Sequence, residues 1–126
     1  MTTKQTTVIV IDDDPDTAEL LSEYLEIKGI KVLGKGFDGK EAVELYSKLK
    51  PDIVFIDVMM PNYDGFFGLE QIRKLDPHSK IIMATADLTA DTSRLLDELK
   101  ATAIIYKPYE FNDIMTIIEK LGNSQA

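Results

Sequence analysis

The chain has 126 residues, 44% of them hydrophobic, which is enough for one compact domain, residues 1–126, with its core over about residues 8–121. Its 14 basic and 22 acidic side chains give a formal net charge of -8, which disfavours direct binding to DNA or RNA, and the absence of cysteine excludes disulfides and thiolate metal sites. Since no apolar run approaches the ~20 residues of a membrane span and no leader-like segment is present, we expect a soluble, cytoplasmic protein that does not insert into membranes.

The first predicted strand is the continuous apolar run from Val8 to Ile11. Runs of β-branched residues without alternation are typical of a strand that is buried on both faces of a parallel sheet. A helix is predicted to begin at Pro15, a residue favoured at the first helical position, with Asp14 as its cap, and to end at Gly29. Its inward side is expected to carry Ala18, Leu21 and Leu25.

The second strand is predicted from Ile30 to Leu33, and the third, another continuous apolar run, from Ile53 to Ile56. Between them a helix is predicted to begin at Asp38, whose carboxylate caps it while Glu41 reaches back. Pro51 forces the end of this helix, because the residue before a proline is disfavoured in the helical conformation.

The rest of the chain continues the alternation of helices and strands. The predicted elements are a helix at about Phe66–Lys74, a strand at Lys80–Ala84, a helix at about Thr89–Lys100, a strand at Ala103–Tyr106 and a helix at about Glu110–Leu121. This pattern predicts an α/β fold, a doubly wound five-stranded parallel sheet with five helices in a three-layer sandwich. Only the last stretch, Gly122 to Ala126, is expected to be frayed.

Polar residues follow the predicted strands at the edge where doubly wound sheets bind ligands. Asp12 and Asp13 follow the first strand, Asp57 ends the third, Thr85 follows the fourth and Lys107 follows the fifth. Two carboxylates about 4 Å apart repel each other by roughly 4 kcal/mol at an effective dielectric constant of 20, so three together favour a bound cation. Aspartate oxygens without cysteine or a nearby histidine favour Mg²⁺, with Mn²⁺ or Ca²⁺ as alternatives.

The same side chains predict phosphoryl-transfer chemistry. A metal ion beside a carboxylate, with an ammonium group and a hydroxyl group nearby, can neutralise and orient a phosphoryl group. Asp57 is the candidate nucleophile, and Lys107 and Thr85 are the candidate contacts to the phosphoryl oxygens. The expected product is an aspartyl phosphate.

Four motifs follow one another along the chain: "IDDD" at Ile11–Asp14, "PDIVFIDVMMPNYDG" at Pro51–Gly65, "MATA" at Met83–Ala86 and "KPY" at Lys107–Tyr109. In this order they resemble the motifs of two-component response regulator receiver domains, and the layout is similar to that of single-domain chemotaxis receivers. The resemblance extends over about Val8 to Leu121. It implies a flavodoxin-like sheet with strand order 2-1-3-4-5 and a cis peptide bond between Lys107 and Pro108.

The resemblance also implies a role for each motif residue in a two-component phosphorelay. Asp57 would accept a phosphoryl group from a sensor histidine kinase or a phosphotransfer protein, and Thr85 and Lys107 would contact that group. The implied Mg²⁺ ligands are Asp13, Asp57, the backbone carbonyl of Met59 and, through water, Asp12. Phosphorylation would then switch a face formed by the fourth helix, the fifth strand and the fifth helix, which binds a downstream effector protein.

The chain departs from the family pattern at several positions. Ile104 stands three residues before the motif lysine, where many receivers have an aromatic residue that turns inward on phosphorylation, and Tyr106 could lie on the same face and substitute in part. Lys100 stands where a glycine is common, which implies a different join between the fourth helix and the fifth strand. The positions at which the family tunes the access of hydrolytic water hold Met59 and Asp87.

Two other classes of function are open at this point. A phosphatase of the haloacid dehalogenase type also uses an aspartate after a strand, but it needs a second aspartate where this chain has Met59, and no cap domain is present, so catalysis on an external substrate is not expected. A pseudo-receiver that binds its partner without phosphorylation is the other alternative, and Ile104 in place of the aromatic favours it. Asp14, as a helix cap, and His78, in an exposed turn, are assigned no chemistry.

Overall fold

A computed structural model of the protein describes residues 5–123. Strands and helices alternate in the order β1 (Thr7–Ile11), α1 (Pro15–Ile27), β2 (Lys31–Gly36), α2 (Gly39–Leu49), β3 (Ile53–Asp57), α3 (Gly65–Leu75), β4 (Lys80–Thr85), α4 (Ala90–Glu98), β5 (Ala103–Tyr106) and α5 (Phe111–Asn123). The five strands form one parallel sheet in the order β2-β1-β3-β4-β5. The doubly wound α/β fold and the strand order expected from the sequence are confirmed.

The sheet has a separate hydrophobic core on each face, because successive side chains of a strand point to opposite sides. Val10 and Phe55 pack on the face covered by α1 and α5, whereas Ile9 and Ile56 pack on the face covered by α2, α3 and α4. All four side chains are fully buried. Each such side chain contributes roughly 1.5–3 kcal/mol, which explains why the strands read as unbroken apolar runs. The inward residues predicted for α1, Ala18, Leu21 and Leu25, are also fully buried.

Each of the helices α1 to α4 begins with a side chain that accepts a backbone N–H of the first turn. Asp14 accepts from Asp16, Asp38 from Glu41, Asp64 from Phe67 and Thr89 from Thr92. Glu41 also reaches back, and its Oε1 accepts the N–H of Phe37 at 2.8 Å. The predicted caps Asp14 and Asp38 are therefore confirmed, since their carboxylates satisfy N–H groups that have no partner within the helix.

The edge strand β2 is longer than the sequence predicts, because it continues past Leu33 to Gly36. The carbonyl of Gly36 accepts the N–H of Asp12 at 3.0 Å, and a Cβ at Gly36 would lie 2.9 Å from Ile11 Cδ1. Glycine has a low intrinsic preference for strands. The strand conformation here is therefore due to the pairing with β1 and the close approach of the two chains.

The last helix, α5, runs through Gly122 to Asn123, beyond the predicted end at Leu121. The part of the predicted frayed end at residues 124–126 lies outside the described residues. Among residues 5–123, none of the helices combines the length and the apolar character that crossing a bilayer requires.

Candidate functional site

Three aspartates meet at the carboxyl edge of the sheet. Asp12 and Asp13 follow β1, Asp57 ends β3, and one carboxylate oxygen from each lies within 4.8 Å of the other two. Asp12 and Asp57 are each 3% exposed, whereas Asp13 is open to solvent. The predicted convergence of these carboxylates is confirmed, and it follows from the pairing of β1 with β3 at the centre of the sheet.

The two buried aspartates and Lys107 share one face of the sheet. Each lies two residues after a side chain of the core beneath α1 and α5, and residues two apart along a strand point to the same side. Those preceding side chains are Val10, Phe55 and Ile105. The position of the acidic cluster is therefore set by strand geometry as much as by the identity of the residues.

Lys107 forms an ion pair with the candidate nucleophile. Its Nζ lies 2.9 Å from Oδ1 of Asp57, and its side chain is 35% exposed. The backbone N–H of Lys107 donates to the carbonyl of Thr85 at 2.9 Å, which fixes the start of this loop against β4. The peptide bond between Lys107 and Pro108 is cis, as the resemblance implies.

Both buried carboxylates hold a proton more tightly than an ordinary aspartate. Burial is the largest cause that raises the pKa of Asp57, Lys107 opposes it, and the charge of Asp13 adds to it. The pKa of Asp12 is also raised, first by burial and then by the charge of Asp57, against a hydrogen bond from the N–H of Asp14. Lys107 therefore does not fully offset the cost of burying these carboxylates in their charged form.

The donor atoms fit a hard divalent cation. The cluster offers carboxylate oxygens and no nitrogen or sulfur ligand, a set that suits Mg²⁺ and Mn²⁺ better than zinc. Among residues 5–123, Asp12, Asp13 and Asp57 form the one group of acidic, histidine or cysteine side chains that lie close enough together to hold a metal ion. The side chain of Met59 is 65% exposed, and the predicted contact through its backbone carbonyl stays a prediction.

The acidic cluster forms the floor of an open cleft of about 620 Å³ between the start of α1 and the start of α5. Its walls include Leu20, Pro108, Tyr109 and Phe111. The ring of Tyr109 packs edge-on against Phe55, with 6.1 Å between the ring centroids. Burial and the nearby carboxylates raise the pKa of Tyr109 to about 12, so its phenol stays protonated at neutral pH.

Tyr109 is a site residue that the sequence reasoning missed, although it is the third letter of the "KPY" motif. Its position two residues after Lys107 on a chain that bends over the cleft was the available signal. Gly65 was also missed: a Cβ there would overlap the carbonyl oxygen of Asp57, so α3 can begin this close to β3 only with glycine.

Thr85 lies on the opposite face of the sheet from Asp57. It is fully buried, and its Oγ1 accepts the N–H of Asp87 at 3.0 Å, so its side chain does not line the cleft. The parity of β4 explains this orientation, because Met83, two residues earlier, packs beneath α3 and α4. A contact between Thr85 and a phosphoryl group therefore requires rotation of the side chain, and the predicted role stays a prediction.

Several residues singled out in the sequence lie outside the cluster. Asp14 accepts from Asp16 N–H and from the Thr17 hydroxyl as a helix cap, and His78 is exposed, both as expected. Ile104 is half-buried in the core beneath α2 to α4, whereas Tyr106 is 41% exposed. Tyr106 therefore does not occupy the inward position that an aromatic at 104 would fill.

Comparison with known proteins agrees with the resemblance found in the sequence. A family model described as "Response regulator receiver domain" matches residues 8–119. The chain is 33% identical over 117 residues to the chemotaxis protein CheY of Thermotoga maritima, covering 91% of this chain and 96% of that protein. It is 32% identical over 127 residues to the probable C4-dicarboxylate response regulator DctR of Priestia megaterium, covering 100% of this chain and 56% of that protein, so it spans about half of that relative. The crystal structure of the CheX-CheY-BeF3-Mg²⁺ complex from Borrelia burgdorferi superposes with a TM-score of 0.85 at 25% identity, covering 92% of this chain and 88% of that one.

Proposed function

Because the chain belongs to the response regulator receiver domain family, we propose that it is a phosphorylation-dependent binding switch in which Asp57 accepts a phosphoryl group. The observation that carries this proposal is the buried carboxylate of Asp57 with Lys107 Nζ at 2.9 Å and two further aspartates within reach of the same cation. The donor would be a sensor histidine kinase or a phosphotransfer protein, in the cytoplasm.

The proposed step is an in-line displacement at phosphorus. An oxygen of the Asp57 carboxylate forms the new bond, and the bond from phosphorus to the donor breaks with its electron pair remaining on the donor atom. Lys107 is placed to balance negative charge on the phosphoryl oxygens, and the hydroxyl of Thr85 donates to one of them after it rotates. Only the anionic form of Asp57 attacks, so its raised pKa slows the step at low pH.

A divalent ion belongs to this proposal because of the donor set. Asp12, Asp13 and Asp57, with the backbone carbonyl of Met59, would hold Mg²⁺ or Mn²⁺. When bound, the ion supplies positive charge that neutralises the carboxylates and the transferring phosphoryl group. The similarity to a CheY structure described as a complex with BeF3 and Mg²⁺ supports this fit.

The output of the switch is a change in a protein-binding face. By analogy with the family, that face consists of α4, β5 and α5, and it recruits a downstream effector protein. No external substrate, direct nucleic-acid contact or membrane insertion is proposed. A pair of conformations separated by a few kcal/mol is enough for such a response, because ligand-induced shifts of this size reverse the populations.

The test is incubation of the protein with a small phosphodonor in Mg²⁺ or in EDTA, followed by intact mass measurement. We expect one phosphoryl group per chain in Mg²⁺, none in EDTA and none in the variant Asp57→Asn. The matched control is Asp97→Asn, an exposed aspartate on α4, which should be labelled like the wild type. Unlabelled wild type, or equal labelling of Asp57→Asn, would contradict the proposal.

The alternative of a phosphate-independent pseudo-receiver rests on Ile104, which supplies no aromatic ring to the core beneath α4. It predicts that the affinity for an effector is the same with and without a phosphoryl mimic such as beryllofluoride. A pull-down with the beryllofluoride-loaded protein separates the two functions, because the switch requires at least one partner whose binding depends on the mimic.

A further inference from the structure

Hydrogen bonds that all pass through Asp87 join the hydroxyl of Thr85 to the first turn of α4. Thr85 Oγ1 accepts the N–H of Asp87 at 3.0 Å. One oxygen of the Asp87 carboxylate accepts the N–H of Thr89 at 2.9 Å, and the other accepts the hydroxyl of Thr92 at 2.6 Å. Since Thr89 caps α4 and Thr92 lies in its first turn, Asp87 ties the position of Thr85 to the start of the helix.

This chain of hydrogen bonds is buried at its two ends, Thr85 and Thr92, whereas Asp87 is half-buried and Thr89 is exposed. Thr85 is 0% exposed and Thr92 is 9% exposed, and the pKa of Asp87 is lowered, first by the hydrogen bond from Thr92. The carboxylate is therefore charged at neutral pH, and hydrogen bonds to charged groups are shorter and stronger than those between neutral groups. Asp87 is consequently turned toward the helix and not toward the cleft, whose lining does not include it.

In many receivers, an aromatic side chain three residues before the motif lysine responds to phosphorylation, but this chain has Ile104 at that position. Ile104 is branched and aliphatic, and it packs against the hydrophobic core beneath α4, which includes Leu96. Structural coupling between Asp57 and α4 therefore requires contacts through other residues. Asp87 supplies such contacts, because its N–H contacts Thr85 and its carboxylate contacts the first turn of α4.

Resting on the proposed function, we propose that Asp87 is a positioning residue that couples the state of Asp57 to α4 through Thr85 and Thr92. To reach a phosphoryl group on Asp57, Thr85 must rotate across the strand, which takes its Oγ1 away from the N–H of Asp87. That N–H then loses its partner, and a half-buried donor without a partner is unfavourable, so the segment around Asp87 rearranges. The rearrangement withdraws the carboxylate from Thr89 and Thr92 and loosens the start of α4.

Amide hydrogen exchange followed by NMR tests this coupling on the full chain, with and without beryllofluoride and Mg²⁺. In the wild type, loading should speed exchange at Asp87, Thr89 and Thr92 together. The variant Thr92→Val keeps the shape and removes the hydroxyl, so amides 89 and 92 should exchange about fivefold faster before loading, the effect of one lost hydrogen bond. Loading with beryllofluoride should increase the exchange rates of these two amides little further in Thr92→Val. The conservative variant Thr92→Ser keeps the hydroxyl and should behave like the wild type.

Two results would overturn the coupling. One is a wild type that binds beryllofluoride, judged by shifts around Asp57, while amides 89 and 92 stay unchanged. The other is a Thr92→Val variant that responds to loading at amide 89 as fully as the wild type.

The variant Thr85→Val provides an arm that needs no phosphoryl mimic. It removes the acceptor of the Asp87 N–H, so exchange at Asp87 and Thr89 should rise without loading, and unchanged rates would contradict the coupling. Failure of the wild type to bind beryllofluoride would instead contradict the proposed function, and the result with Thr85→Val would still decide whether the connection exists.

Discussion

The carboxylate of Asp57 is subject to two opposing influences. Burial favours its protonated form and raises its pKa, whereas the ammonium group of Lys107, 2.9 Å from Oδ1, favours the charged form. Burial is the larger cause, so the pKa stays above the ordinary value. In the proposed transfer only the charged form attacks phosphorus, so the position of Lys107 would control how much of the protein is reactive at a given pH.

Replacing Lys107 by glutamine should change both the titration and the reaction of Asp57. In EDTA the pKa of Asp57 should rise further, since the substitution removes the main group that lowers it. With Mg²⁺ and a small phosphodonor, labelling should slow by about 100-fold, the usual effect of losing one preorganised charge partner. Carboxyl ¹³C titration and a labelling time course measure these quantities.

The matched control is Lys48→Gln, at an exposed lysine on α2. It should leave the pKa of Asp57 and the labelling rate unchanged. If Lys107→Gln behaved like this control, the ion pair with Asp57 would have no part in the chemistry.

The carboxylates and Lys107 could be placed from the sequence, but Thr85 and Tyr109 could not. Parallel strands end at one edge, so residues that follow them meet there whatever their side chains pack against. The face on which Thr85 lies depends on the parity of β4, and an unbroken apolar strand such as Ile81 to Ala84 carries no alternation that reveals it. The contact of Tyr109 depends on where the chain turns after Pro108, which the residue types do not specify.

The join between α4 and β5 contains a strained residue, Lys100, at a position where the family often has glycine. Lys100 has a φ of 63°, in the left-handed region. Its N–H donates to the carbonyl of Asp97 at 3.0 Å, and its own carbonyl accepts from Arg73 Nη2 at 2.6 Å. Arg73, on α3, thus stabilises this conformation of Lys100. The sequence predicted only that the join would differ from the family pattern, and it did not predict the left-handed backbone.

Substituting glycine for Lys100 should stabilise the protein. A left-handed conformation costs a residue with a Cβ roughly 1–2 kcal/mol, and the greater freedom of glycine in the unfolded chain offsets about 0.4–1 kcal/mol of that gain. The net increase in the free energy of unfolding, measured by urea denaturation, should lie between about 0 and 1.6 kcal/mol. Lys100→Ala, which keeps the Cβ, should show no such increase, and a destabilised Lys100→Gly would mean that φ is not the source of strain.

Helices α2 and α3 are joined by a hydrogen bond that the sequence did not indicate. The hydroxyl of Tyr46, a residue 4% exposed, donates to Oδ2 of Asp76 at 2.7 Å. This bond is the first cause of the lowered pKa of Asp76, and burial with the same partner raises the pKa of Tyr46 to about 12. The pairing depends on how α2 packs against α3, so periodicity within either helix could not reveal it.

Tyr46→Phe should lower the free energy of unfolding by about 1 kcal/mol at neutral pH, because it removes one hydrogen bond to a charged group at the edge of the core. Because the pKa of Asp76 is lowered in the folded state, its ionised carboxylate stabilises the fold at pH values above the pKa of the unfolded chain. This stability is lost as pH falls through the folded-state pKa. The difference between wild type and variant should therefore shrink below about pH 4. Urea unfolding at several pH values measures it, with the exposed Tyr106→Phe as a control that should not differ from the wild type.

The sheet as a unit explains both the fold and the location of the cleft. Alternating elements imply parallel strands, and the strand order places β1 beside β3 where the chain changes direction across the sheet. The parallel sheet was predictable because it depends on the alternation of elements, whereas the strand order was implied by the resemblance to receiver domains. The length of β2 was not predictable, since Gly34 and Gly36 join the edge of the sheet through packing against Leu45 and Ile11 and not through propensity.

The acidic cluster should make the stability of the metal-free protein fall as pH rises. The pKa values of Asp12 and Asp57 are raised in the folded state, so the stability they contribute is full below about 3.8 and is lost as pH rises through the raised values. In EDTA at pH 7, the free energy of unfolding of Asp57→Asn should therefore exceed that of the wild type by about 1–3 kcal/mol. This difference should vanish toward pH 4. Urea unfolding across this range measures it, and a difference that does not depend on pH would contradict the prediction.

Calorimetric titration with Mg²⁺ at neutral pH shows whether the three aspartates act as one site. The wild type should bind one ion per chain, and Asp12→Asn, Asp13→Asn and Asp57→Asn should each weaken binding by about tenfold or more, whereas the cap variant Asp14→Asn should not. A wild type that is indifferent to Mg²⁺, or binding that survives unchanged in Asp57→Asn, would contradict the proposal that Asp57 accepts a phosphoryl group with the help of a divalent ion.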